Sequence, residues 1–176
     1  DANPDGTAAN DRHNARGVDL NRNFPYRWQP QDGVYESGSG PASEAETLAM
    51  KGLLDRIKFK FQVNYHSNGQ WLLYAEGWQT STPTADDPIY YAMSGNLDAP
   101  AIAQFHPGLS SDVLYVTNGE TTDYAHATTG ALAWTPELSA GCDGCGFVFP
   151  DDDALVQAEF ERNLPFAMSV AGSAVD

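Results

Sequence analysis

The residues able to do chemistry in this chain are an acid in an apolar strand, a histidine at a strand end, an early arginine cluster and a loop tyrosine. The acid is Glu137, within Leu132-Ala133-Trp134-Thr135-Pro136-Glu137-Leu138. A carboxylate in such a run is costly unless paired or tuned. Desolvation would raise its pKa toward values useful for proton transfer. A structural ion pair is the alternative, although no basic residue is near it in sequence. His66 closes the alternating segment Phe61, Val63, Tyr65. A histidine there is either a hydrogen-bonded core residue or a metal ligand, and it needs partners to be the second. His13, His106 and His126 show no H-x-x-E or H-x-x-x-H spacing, so two of the three protein ligands of a catalytic zinc site are not visible.

Arg12, Arg16, Arg22 and Arg27 are four of the nine basic residues in a chain of net charge −15. Such clustering marks a candidate anion site. Arg22 ends the Val18/Leu20 alternation in Asn21-Arg22-Asn23. Its guanidinium can grip a carboxylate through two parallel charge-assisted hydrogen bonds, or it can pair internally with Asp19 or Asp5. Tyr115 sits in a loop of glycine and threonine that could close over a ligand.

The elements that must position these groups read as mixed α/β. Residues 1–41 are rich in Asn, Asp, Gly and Pro and read as loop. Ser43-Glu44-Ala45-Glu46 has the form of a capping box and predicts a helix from Ser43 to about Phe59. Leu48, Leu53, Leu54 and Ile57 form its apolar stripe. Strands are expected at Phe61–Tyr65, Trp71–Ala75 and Gly130–Leu138. A second helix is expected from Asp87-Pro88, with Asp87 as cap and Pro88 as first residue, to about Leu97. Pro107–Thr129 reads as loop. A last helix should run from Ala154 to about Gly172, with Asp151, Asp152 and Asp153 favouring its N-terminal dipole and Pro165 kinking or dividing it. Three strands want further partners, which suggests that part of the domain lies outside the chain.

The 176 residues point to one domain. Hydrophobic content of 41% supports a packed core. No run of eighteen apolar residues is present, so no membrane span is expected. The acidic balance argues against nucleic acid and anionic membranes. Cys142 and Cys145 stand as C-D-G-C between glycines. A local disulfide in an exported, extracellular protein is the expected reading, with free thiols, metal or redox roles as alternatives. The chain opens at Asp1, consistent with a processed or excised piece.

In order along the chain, NPDG at 3–6, Arg12, GVDLNRNFP at 17–25, SEAE at 43–46, YHSNGQWLLY at 65–74, Tyr115 and TPEL at 135–138 resemble the zinc carboxypeptidase family. The spacing of Tyr115 and Glu137 matches that of the family's substrate-capping tyrosine and catalytic glutamate. The resemblance implies a mixed β-sheet flanked by helices, here incomplete, with residues 1–176 as the C-terminal part of one catalytic domain. It implies Zn2+ with His66 as third ligand. Arg22 and Asn21 would clamp the substrate's terminal carboxylate, and Tyr115 would fold over it. Arg12 would polarise the scissile carbonyl, and Glu137 would be the general base.

The family's upstream H-x-x-E is not in this chain. The resemblance therefore implies that the chain alone holds zinc poorly and is inactive. It would act with the N-terminal half of the domain on peptides with a free C-terminal carboxylate. Thr122 falls at the position that reads the last side chain, which predicts neutral terminal residues. Glu76 or Glu120, if close, would favour basic ones. Two other readings stay open: a hydrolase of cell-wall peptides or acyl amino acids on the same scaffold, and a non-catalytic binding fragment. Asn21, Arg22 and Tyr115 argue against acyl amino acids.

Overall fold

The computed structural model describes residues 11–30, 36–140 and 152–175. The NPDG turn, Asp5 and the Cys142/Cys145 pair lie outside them. A single mixed sheet organises the described chain. Its strands are β1 (Phe61–Val63), β2 (His66–Ser67), β3 (Trp71–Tyr74), β4 (His106–Leu109) and β5 (Leu132–Leu138). The order is β1-β5-β3-β4, with β2 also on β5. β5 runs parallel to β1 and β2 and antiparallel to β3, and β3 runs parallel to β4.

β5 is central, which is why its sequence is almost continuously apolar. Its side chains alternate between faces. Trp134 enters a core with Leu72, Tyr74, Tyr90, Ile102, Phe105, Phe166 and Val170. Ala131 and Ala133 face the other way, against Phe24, Leu54 and Tyr124. Thr135 and Glu137 continue this second face by period two, so the strand that anchors the core also presents Glu137.

Pro136 lacks an N–H, and the sheet is built around that loss. Trp134 O accepts from Asn64 N at 2.9 Å, and Leu132 N donates to Lys60 O. Even-numbered backbone groups of β5 therefore face β1 and β2. The missing donor of Pro136 points to the same side, where the neighbouring strand breaks between Val63 and His66. The expected strand Phe61–Tyr65 is accordingly two short pieces, and His66 opens the second instead of ending the first.

Helix α1 spans Ala45–Ile57, α2 Asp87–Ser94, α3 Ser110–Val113, α4 Thr121–Tyr124 and α5 Asp153–Ser173. A wider π-type turn, Ala125–Thr129, follows α4. Several expectations are corrected. The capping box does not form: Glu44 is the N-cap of α1 without a side-chain cap bond. Ser43 Oγ instead bonds Glu44 Oε1, and Asn23 Oδ1 takes the Glu44 N–H. Of the predicted stripe only Leu54 is fully buried, while Leu48 and Ile57 are exposed. α2 is capped by Asp86, not Asp87, and stops at Gly95, whose φ of 75° ends the helix before Leu97. The stretch 107–129 is not loop throughout, since it holds β4, α3, α4 and the π turn. Single turns carry too few residues for periodicity to register. α5 continues through Pro165 undivided, with Asp152 accepting from Ala154 N and Leu155 N. No described helix is long and apolar enough to cross a membrane.

Candidate active site

The cleft forms where β2, the end of β5 and the loops at 12–22 and 110–120 meet. Arg12, Asn21, Arg22, His66, Tyr115 and Glu137 all line it, together with Ser110, Leu114, Thr117, Glu120 and Thr135. Six of the seven residues singled out in the sequence thus share one opening. Thr122 does not: it is buried, and its hydroxyl bonds Thr135 Oγ1 at 2.8 Å behind the wall.

His66 and Glu137 are paired in register across β2 and β5, with His66 Nδ1 4.0 Å from Glu137 Oε1. That separation is too long for a hydrogen bond, and it leaves the facing atoms of both available to a third group. Burial raises the Glu137 carboxyl to about 7; Arg12 and Arg22 pull it down, and Glu120 pushes it up. Burial lowers the His66 pKa, with Arg12 and Arg22 acting in the same direction and Asp19 opposing. A neutral imidazole is the form that ligates metals.

The Asn21-Arg22-Asn23 segment has a clear division of labour. Asp19 accepts from Asn21 N and caps a short 3-10 turn, Leu20–Arg22. Asn21 Oδ1 accepts from both Thr121 N and Thr121 Oγ1 at 2.9 Å. Its NH2 group is thereby the end left to donate into the cleft. Asn23 is fully buried and donates to Ser37 O, Gly40 O and Ser43 Oγ. Arg22, held between these two pinned amides, donates to Asn21 O at 2.8 Å and to Tyr115 Oη at 3.3 Å. Tyr115 stands half-exposed at the mouth.

Among the described residues Asp19 pairs with Arg12, not with Arg22, since Arg12 Nη2 lies 3.1 Å from it. The arginine cluster is divided. Arg16 reaches Glu44 at 3.6 Å, and Arg27 stacks 3.8 Å over Trp78. Glu76 is spent elsewhere: it accepts from Tyr26 Oη and Trp78 Nε1 and meets His126 Nδ1. Asn23, Thr117 and Ser110 were missed in the sequence. The repeated Asn on either side of Arg22 was the available signal for the first, and nothing marked the other two.

A family model for zinc carboxypeptidases matches residues 1–162. The chain belongs to the zinc carboxypeptidase family. It is 28% identical over 159 residues to a metallocarboxypeptidase A-like protein of Trichophyton verrucosum, covering 81% of this chain and 37% of that protein. It is 31% identical over 163 residues to murein peptide amidase A of Escherichia coli, covering 77% of this chain and 65% of that one. The solved carboxypeptidase A of Helicoverpa armigera superposes with a TM-score of 0.69 at 24% identity, covering 90% of this chain and 43% of that structure. The last comparison speaks for the fold. The chain thus spans well under half the length of several carboxypeptidases it matches.

Family membership implies zinc. The described residues supply one suitable donor, His66, and among them no three His, Cys, Asp or Glu side chains cluster closely enough to hold a metal ion. One imidazole falls short of the three protein ligands of a catalytic zinc site. The described residues alone therefore do not fit the ion.

Proposed function

We propose that this chain forms the catalytic-glutamate half of a zinc carboxypeptidase site and that residues 1–176 are the C-terminal part of that domain. The observation carrying this reading is the convergence of Arg22, Tyr115, His66 and Glu137 on one cleft, with the glutamate buried and poised near neutrality. His66 is then one zinc ligand, and the other two come from outside the described residues. Arg22, with the amide of Asn21, binds the substrate's terminal carboxylate. Tyr115 closes over it and adds a hydrogen bond. Arg12 is the cation placed for the scissile carbonyl oxygen as negative charge develops there. Glu137 takes a proton from the attacking water and passes it to the leaving amine, a task suited to a pKa near the working pH.

The experiment is Glu137→Gln in the full-length protein, with zinc content and peptidase turnover measured side by side. Zinc binding should be retained while kcat falls by about 10²–10⁴-fold, the usual worth of a general base. Turnover unchanged by the substitution overturns the assignment. Zinc titration of the isolated 176-residue chain should show neither tight stoichiometric binding nor hydrolysis.

A second reading has its own support. Similarity to murein peptide amidase A favours a cell-wall peptide as substrate, since such a peptide also presents a free carboxylate to Arg22. Parallel assays on a plain peptide and a purified cell-wall peptide separate the two.

A further inference from the structure

Besides the carboxylate and proton-transfer groups, the cleft is lined by Ser110, Thr117 and Glu120, whose side chains gather around Gly77. A Cβ at Gly77 would lie 2.6 Å from Thr117 Oγ1, 2.8 Å from Glu120 Oε1 and 3.2 Å from Ser110 Oγ. Three oxygen-bearing side chains thus converge over a residue that must lack one. All three line the cleft with Arg22, Tyr115 and Glu137. Thr117 is 3% exposed, and its hydroxyl has no hydrogen-bond partner among the described residues. A buried polar atom in that condition is costly until a ligand meets it.

Glu120 is 7% exposed. Behind it Asp123 accepts from Gly77 N at 2.8 Å and 3.0 Å. Burial, the neighbouring charge of Glu120 and a hydrogen bond to it raise the Asp123 carboxyl well above the usual value. Glu120 and Asp123 thus both sit against Gly77, and of the two only Glu120 lines the cleft. The cleft's own cations are engaged elsewhere: Arg12 pairs with Asp19, and Arg22 donates to Asn21 O and Tyr115 Oη.

We propose that Glu120, flanked by Thr117 and Ser110, is the specificity-determining group of the cleft and selects terminal residues whose side chain ends in a cationic amine or guanidinium. This rests on the carboxypeptidase reading, and it replaces Thr122 as the group that reads the side chain. The physical case is asymmetric. An ammonium meets a desolvated carboxylate and a waiting hydroxyl, whereas an aliphatic side chain leaves both unmatched. An acidic side chain adds direct repulsion.

The test uses product-like probes on the zinc-loaded, full-length protein. L-lysine, L-norleucine and L-glutamate are titrated calorimetrically, and kcat/KM is compared for matched peptides ending in each. Lysine should bind at least about tenfold more tightly than norleucine, a difference of about 1.4 kcal/mol, with glutamate weakest. Glu120→Gln should bring lysine and norleucine to within about threefold of each other. Arg22→Met should weaken all three together. Equal wild-type binding of lysine and norleucine overturns the inference, as does a preference that survives Glu120→Gln. If Arg22→Met still weakens every probe in those cases, the carboxypeptidase reading stands without it. Indifference of all probes to Arg22→Met removes that reading and this one together. The wild-type ordering needs no variant, so misfolding of Glu120→Gln does not protect the proposal.

Discussion

Replacing Asn23 by Ala should destabilise the protein by about 3–5 kcal/mol, although Asn23 touches neither the carboxylate clamp nor the catalytic acid. The magnitude follows from what each partner loses. Glu44 N is buried and donates to Asn23 Oδ1; with that acceptor gone its N–H is orphaned, at about 1–3 kcal/mol. Ser37 O loses the amide but keeps Trp28 Nε1 at 3.0 Å, so only a net bond of about 1 kcal/mol disappears. Gly40 O likewise keeps Ser43 N at 3.1 Å and loses only one bond, at a further ~1 kcal/mol. Urea denaturation reads the loss directly as a lower midpoint at constant slope. For a domain of this size the melting temperature should fall by about 2–4 °C for each kcal/mol. Because Glu44 sits in the same network, the cost of Asn23→Ala and Glu44→Gln together should differ measurably from their sum. A loss below about 1 kcal/mol for Asn23→Ala would mean that the loop at 37–44 re-satisfies its own backbone, and the pinning role assigned to Asn23 would be wrong.

Tyr90→Phe should cost about 1–3 kcal/mol by thermal melt, because Tyr90 Oη accepts from Ala133 N just beyond the end of β3 and Phe leaves that buried N–H without a partner. Glu44 should contribute an acid-side pH dependence of stability. Burial works to raise its carboxyl, but hydrogen bonds from Asn14 and Ser43 and the charge of Arg16 outweigh burial and hold it below the usual glutamate value. A carboxyl depressed in the folded state stabilises above its unfolded pKa, and the gain fades as pH falls through its folded value. Melting curves from neutral pH downward should therefore lose stability less steeply in Glu44→Gln than in wild type.

Much of the site was legible because its chemistry demands residue types that stand out against their surroundings. Glu137 is a carboxylate in a strand that is apolar because it is central, and Arg22 is a guanidinium flanked by amides. Other features depend on phase and partnership, which short segments do not encode. The four-residue α3 and α4 look like loop in a stretch rich in glycine and threonine. Asn23 is one amide among several until Ser37, Gly40 and Glu44 are folded around it. The contrast between Thr122 and Glu120 makes the point most sharply. Successive residues in a helix are rotated by about 100°. Thr122, inside the turn of α4, faces back onto Thr135. Glu120 is the extended N-cap, with φ −91° and ψ 158°, so its side chain lies outside the helical register. Two positions along the chain thus separate a residue buried behind the wall from one on it. The sequence offers both residues as readers of the terminal side chain, and the backbone turn between them puts only Glu120 on the cleft.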